Sequence, residues 1–496
     1  MGTTRLPSIR MPRPLAGADP EFGSVLGLLA CGGLLLTLGA VLVVGVVGLA
    51  VPLVVVGLLA CLRWPALPVG LVVGLTLAVD QYWGETYAAG YPLWRGAVGG
   101  FSPWELLLYL ALASVVLDCV RRRRLPPMPG LIAAPLLLMA VAFAVGSFVG
   151  YSGGAGLKTQ IDGLRNVLPV VIIAPLVAAV LPPERVRPVL GATAVLIGAK
   201  ALLGLGLTMQ RGGPSLENLV FYEITMNWVF MAFVLCVIAC RVCGVSVPWW
   251  VWLAAGLALL MFVIGLKRAL WIGSVAGIGL ILVLGLGRVG RRLLVPAVVV
   301  TAALGWLLLS VGVTAELNGP VAERVSSLNP QKVATNTQDR YRLDERANVW
   351  IGIREQPLLG LGQGVPWRAV EPLGIEHESA RDYVHFALLW FWMKYTLLGA
   401  LAYVAILAGV VIVGIRVRRG HPDPLMRAVG LGVAASFVAL AIAELTVTWT
   451  GANPAFTVTV GAAIGVLAVL DVQRRALSRP AGAAADAARG PAARPG

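Results

Sequence analysis

Apolar residues in this chain come in runs of about 18 to 21 residues, closed at alternate ends by arginines and by short polar or glycine-rich breaks. A run of that length crosses the hydrocarbon core of a bilayer as one helix, in which every backbone polar group bonds within its own segment. Read in order, the runs predict helices near 24–44, 46–62, 66–80, 103–119, 130–150, 166–182, 188–207, 221–240, 248–266, 269–287, 293–313, 383–415, 428–446 and 454–471. The expected fold class is all-α: a polytopic integral membrane protein of about 12–14 transmembrane helices with one large extracytoplasmic loop.

Sidedness follows from the arginines. They cluster at Arg5, Arg10 and Arg13, at Arg121 to Arg124, at Arg185 and Arg187, at Arg288, Arg291 and Arg292, at Arg416, Arg418 and Arg419, and at Arg474 and Arg475. Placing every cluster on the cytoplasmic face gives one self-consistent path. That path divides the chain into a cytoplasmic tail (1–23), a helix block (24–313), an extracytoplasmic loop (314–382), C-terminal helices (383–478) and a disordered cytoplasmic tail (479–496). The expected location is the inner (cytoplasmic) membrane, multi-pass, with both termini cytoplasmic and the active site outside. Residues 1–23 lack the apolar core of a secretory signal, and the Ala-, Gly-, Pro- and Arg-rich tail cannot bury enough surface to fold.

Composition sharpens this picture in two places. Of 496 residues 58% are hydrophobic and only 13% charged, yet the formal net charge is +15. On a soluble protein that charge would suggest nucleic acid; here it punctuates helix ends, so the expected partners are membrane lipids and no nucleic acid. The six cysteines, Cys31, Cys61, Cys119, Cys236, Cys240 and Cys243, all avoid the long loop. An outer disulfide framework is therefore not expected, and the thiols read as small apolar residues.

Chemistry concentrates in and around the loop. Arg342, Arg346, Trp350 and Arg354 recur every four residues, which on a helix sets three guanidinium groups and an indole along one stripe. Such a stripe suits a diphosphate, because guanidinium pairs with phosphate oxygens two at a time and keeps its charge. The alternative is a surface helix whose arginines pair with Asp344 and Glu345. Pro357 ends the segment, and Gly360-x-Gly362-x-Gly364 allows a tight turn. His385 follows at the start of the next apolar run, where neutral imidazole can accept a proton. His377, in an acidic stretch, is the weaker candidate. Lys267 and Arg268 interrupt two apolar helices at a tight outer turn, either snorkelling or serving an anion. Arg165 and Arg211 mark further outer helix ends, and Lys200 and Glu444 fall inside the helix bundle.

These residues, in this order, resemble the O-antigen ligase and O-antigen polymerase superfamily of bacterial envelope proteins. The pattern is carried by Arg346-x-x-x-Trp350, Pro357-x-x-Gly360-x-Gly362, and His385 followed by Gly399, with Lys267-Arg268-Ala-Leu similar to the family's basic turn before an apolar helix. The chain departs from it at Phe386, where the family has Asn. The resemblance implies metal-independent glycosyl transfer at the outer membrane face, without a cofactor. The implied donor is a polyprenyl-diphosphate-linked oligosaccharide, and the acceptor a glycan or lipid. His385, Arg346 and Arg268 would be catalytic; Arg165, Lys267, Arg342, Trp350 and Arg354 would bind substrate. A secondary transporter or exporter of a polar solute is the alternative from another class, with Lys200 and Glu444 as its charge pathway. A polyprenyl-phosphate-monosaccharide transferase, using acids such as Asp80 and Glu85, is a further enzyme alternative.

Overall fold

Helices make up the secondary structure of the computed structural model, and no strand occurs among the described residues, which are 50–79, 93–94, 100–210, 224–265, 267–286, 337–370, 381–446, 448, 450 and 453–478. The chain divides into two units, residues 1–64 and 65–496. The first contributes helix α1 (Ala50–Arg63), apolar until Arg63 closes its last turn. The second contains α2 (Ala66–Ala78), α3 (Pro103–Arg122), α4 (Gly130–Ser152), α5 (Leu157–Val180), α6 (Val186–Gln210), α7 (Ile224–Val242), α8 (Trp249–Ile264), α9 (Arg268–Gly285), α10 (Thr337–Glu355), α11 (Ala387–Gly420), α12 (Pro424–Ala443) and α13 (Pro454–Leu477). Among the described residues nine helices are long and apolar enough to cross a membrane: α3 to α7, α9 and α11 to α13.

Local sequence explains where several helices start. Ser102 and Glu105 form a reciprocal capping box at α3, with Pro103 in the first turn. Asp423 and Asn453 cap α12 and α13 through the amides of Leu425 and Phe456, again just ahead of a proline. Small residues then let the helices approach backbone to backbone, the usual packing of membrane helices. Gly273 and Gly277 of α9 lie against the carbonyls of Ala439 and Ala435 of α12. Gly146 of α4 lies against Lys394 of α11, and Gly409 of α11 against Leu131 of α4.

These antiparallel registers gather the basic helix ends. Arg187 bonds Asp423 at 2.7 Å, Gly420 packs on Arg474, and Arg474 and Arg475 both pair with the buried Asp471, at 2.8 and 2.6 Å. The opposite end of the same helices carries the start of α9, the lead-in to α11 and the turn after α12.

Three boundaries differ from the sequence reading. α5 starts at Leu157, not near 166, so Arg165 lies about two turns inside it. In its first turns Gln160 is buried and the other side chains from Leu157 to Asp162 are exposed. α11 starts at Ala387, which leaves His385 in the extended stretch before it. It also breaks at Tyr395 (φ −126°, ψ 28°) and Thr396 (φ 69°, ψ 173°), the latter in the left-handed region that side chains with a Cβ avoid. Expected spans 24–44 and 293–313, both tails, Arg211 and His377 lie outside the described residues.

Candidate active site at the α10–α11–α12 junction

α10 shows why the arginine stripe forms. Tyr341, Glu345, Val349 and Ile353 recur every four residues and are buried. They turn that face inward and leave Arg342, Arg346, Trp350 and Arg354 on the adjoining, half-buried to exposed stripe. One member of the inward face is a carboxylate. Glu345 is 1% exposed, and its Oε2 accepts the His385 backbone N–H at 2.7 Å and lies 2.9 Å from His385 Nδ1. A carboxylate can only accept, so the neutral imidazole carries its proton on Nδ1 and keeps the Nε2 lone pair open. The His385 side chain is 26% exposed, enough for a reactant to reach it.

Arg346 stands beside this pair. Its guanidinium donates to the Leu445 carbonyl at 2.5 Å and to the His385 carbonyl at 3.5 Å, and lies 5.1 Å from the Phe386 ring centre. Phe386, the residue that departs from the family pattern, thus supports the cation through its π face. Among the described residues no carboxylate lies within ion-pairing distance of Arg346, and its buried Nε has no acceptor. Burial lowers the Arg346 pKa, with Glu345 opposing the shift and Arg342 adding to it.

Two tyrosines wall the imidazole: Tyr383 and Tyr341 meet it edge to face at 4.9 and 6.4 Å. The Tyr383 hydroxyl donates to the Thr448 carbonyl, and burial together with the nearby Glu345 and Glu444 charges raises its pKa and keeps the phenol protonated. Trp367 ties the lead-in from the other side, donating its Nε1–H to the Tyr383 carbonyl at 3.0 Å.

The glycine turn docks onto the break in α11. With helical bonding interrupted there, the Met393 carbonyl is open and accepts the amides of Leu361 at 2.8 Å and Gly362 at 3.0 Å. Buried Lys394 donates to the Val365 carbonyl at 2.9 Å. Gly362 (φ 90°) passes so close to Gly150 that a side chain there would collide with α4, and a Cβ on Gly399 would stand 2.6 Å from the Tyr395 Cβ. Gly362 thus admits the close approach to α4, and Gly399 leaves room for the Tyr395 side chain at the break.

The remaining candidates separate. Trp350 meets Trp392 of α11 edge to face at 5.7 Å and carries Arg354 over its ring at 5.4 Å. Arg342 is half-buried on the same stripe. Lys267 and Arg268 sit at the turn into α9. The α9–α12 register set by Gly273 with Ala439 and Gly277 with Ala435, extended five residues, brings Arg268 level with Glu444 at the same end of the bundle. Arg165 is held elsewhere, with Nε 3.0 Å from Glu105, Nη1 3.2 Å from Asp162 and Nη2 donating to the Gly100 carbonyl at 2.7 Å. Lys200 is buried and donates to the Leu77 carbonyl at 3.0 Å. Asp80 and Glu85 lie outside the described residues.

Sequence reasoning read Glu345 only as a surface partner for the arginines; its burial on the four-residue inward stripe was the signal to find it. Tyr383 and the carbonyls of the 445–448 turn carried no such signal. Among the described residues no three His, Cys, Asp or Glu side chains gather as a metal site requires.

An all-helical, multi-span membrane protein with an imidazole–carboxylate pair and a guanidinium gathered at one end of the bundle is the class these features define. Residues 253–404 match the family described as O-Antigen ligase, and that stretch is similar to it. The match takes in Lys267, Arg268, all of α10, the glycine turn, His385 and Gly399, and stops short of Arg165 and Glu444. No curated protein matches the chain.

Proposed function

We propose that this protein transfers a saccharide from a polyprenyl diphosphate to a hydroxyl of a glycan or envelope acceptor, at the extracytoplasmic face of the membrane. The observation that carries the reading is the His385–Glu345 pair beside Arg346, a half-buried cation without a carboxylate partner among the described residues. The open Nε2 of His385 takes the proton of the acceptor hydroxyl as its oxygen bonds the anomeric carbon. The bond from that carbon to the diphosphate oxygen breaks, and the diphosphate leaves with the electron pair, still attached to its lipid. Glu345 holds the imidazole by its Nδ1–H and stabilises the imidazolium that forms. Arg346 meets the charge gathering on the leaving diphosphate, with Arg268, at the same end of the bundle, and Arg342, Lys267 and Arg354 as supporting cations.

Two further features fit this assignment. The basic helix ends and the site lie at opposite ends of the bundle, which supports an extracytoplasmic site if the arginines face the cytoplasm. An apolar hollow of about 330 Å³ lies on α11, lined among others by Trp392, Leu397, Leu401 and Val404, and accommodates part of the donor's hydrocarbon. Arg165, neutralised by two acids, is assigned to the fold.

The test is a purified, reconstituted protein given a polyprenyl-diphosphate oligosaccharide and an acceptor. His385→Ala is expected to insert normally and to lose about a thousandfold in transfer, the scale of a lost general base. Wild-type rates in that variant would sink the assignment. Sizing the surface glycan of a deletion strain separates the two acceptor types: single repeat units left in place mean polymerase, and accumulated long lipid-linked chains mean ligase.

A further inference from the structure

We infer that Glu444 is a positioning residue of this site, a carboxylate that sets Arg346 and the His385 lead-in relative to each other. It follows α12 at the C-cap and is 1% exposed. An acid at a helix C-terminus faces the negative end of the helix dipole, and burying a carboxylate is costly. Stabilising α12 therefore does not account for it. Its hydrogen bonds do. Oε2 accepts from the Tyr403 hydroxyl, midway along α11, and Oε1 accepts from the Thr450 amide at 2.6 Å. Its backbone carbonyl accepts from the Ala387 amide at 3.1 Å, the first residue of α11.

The carboxylate of Glu444 thus holds both Tyr403 and the Thr450 amide, and the residues that follow it bond the lead-in and α10 at the site. The Leu445 carbonyl holds Arg346 at 2.5 Å. The Thr448 carbonyl receives the Tyr383 hydroxyl, and the Thr448 hydroxyl donates to the Val384 carbonyl at 2.7 Å. Tyr383 in turn walls His385. Without the Glu444 carboxylate the turn loses its side-chain tie to Tyr403 and its hold on the Thr450 amide and keeps the backbone bond to Ala387, so the Arg346 acceptor and the His385 wall are less firmly set relative to each other. A displacement of about 1 Å at such a site costs on the order of a hundredfold in rate. The catalytic significance rests on the glycosyl-transfer reading; the positioning itself does not.

The test uses Glu444→Ala, Glu444→Gln and Tyr403→Phe in the full-length, reconstituted protein. If Glu444 acts through Arg346, Glu444→Ala raises the donor KM by about tenfold, and the double variant with Arg346→Lys is no worse than Arg346→Lys alone by more than about twofold, since linked residues are not additive. Glu444→Gln, which keeps an acceptor for Tyr403, recovers part of the loss. Modification of His385 by diethyl pyrocarbonate, read by mass spectrometry without any donor, is expected to accelerate several-fold in Glu444→Ala. Multiplying effects in the double variant, or unchanged KM and His385 reactivity with less folded protein, would overturn the inference. Should Glu444→Ala fail to fold, Tyr403→Phe removes one hydroxyl and must shift both readouts in the same direction; no shift overturns the inference equally. The His385 reactivity decides the positioning role even if wild-type protein transfers nothing, an outcome that counts against the functional reading alone.

Discussion

Arg165 in α5 and Arg346 in α10 are both half-buried guanidinium groups set over a phenyl ring, Phe101 at 5.3 Å and Phe386 at 5.1 Å. Both donate to backbone carbonyls of distant segments, Gly100 and Leu445. Their carboxylates differ. Arg165 has two acids, Glu105 at 3.0 Å and Asp162 at 3.2 Å, and its charge is spent inside the fold. Arg346 has none within pairing distance among the described residues, because the nearest acid, Glu345, is turned to the imidazole instead. Under the proposed function Arg346 is the cation left to meet an anion, and Arg165 serves as a brace.

The variants that break the comparison range from large to small effects. Glu345→Ala, which leaves the His385 tautomer unset, is expected to lower the transfer rate about a hundredfold, with Glu345→Gln recovering part of it. The same variants should leave binding of the donor nearly unchanged, as read by its KM. Arg346→Lys is expected to lose about ten- to a hundredfold in kcat/KM, because an ammonium lacks the two-pronged contact, while thermal stability stays within a degree or two. Equal activity of Arg346→Lys and wild type would return the stripe to a surface-helix role. Arg165→Gln should do the reverse. It strands Glu105, whose side chain is 11% exposed, and costs about 2 kcal/mol, seen as a drop in Tm, with little change in rate per folded molecule. A large rise in donor KM for Arg165→Gln would place it in the site after all. Arg368→Lys, exposed and off the stripe, is expected to stay within about twofold of wild type in every assay.

Gly362 and Gly399 show how far the motif was readable. Their spacing after Pro357 and His385 announced a turn and a helix, and both glycines prove necessary, one for the approach to α4 and one for the break in α11. The break itself was not announced: Tyr395 and Thr396 sit in an apolar run with no proline or glycine between them. They leave helical geometry because the glycine turn, packed from outside, takes up the Met393 carbonyl that the helix gives up. Arg165 differs in the opposite direction. Read as an outer helix end, it is an interior residue of a longer helix whose acids come from α3 and from its own first turns.

Sequence by itself determined the all-helical membrane class, the run of apolar segments and the residues of the α10 stripe. Each of these depends on periodicity or charge within a window of a few turns. Tertiary structure alone decided which charges stay open. His385 meets Glu345 across 40 residues and Arg346 meets the Leu445 carbonyl across 99, so no local pattern records either partner. The physical reason is that hydrogen-bond partners at depth are chosen by which backbone groups the helix packing leaves unsatisfied. That choice exists only once α10, α11 and α12 have closed on one another.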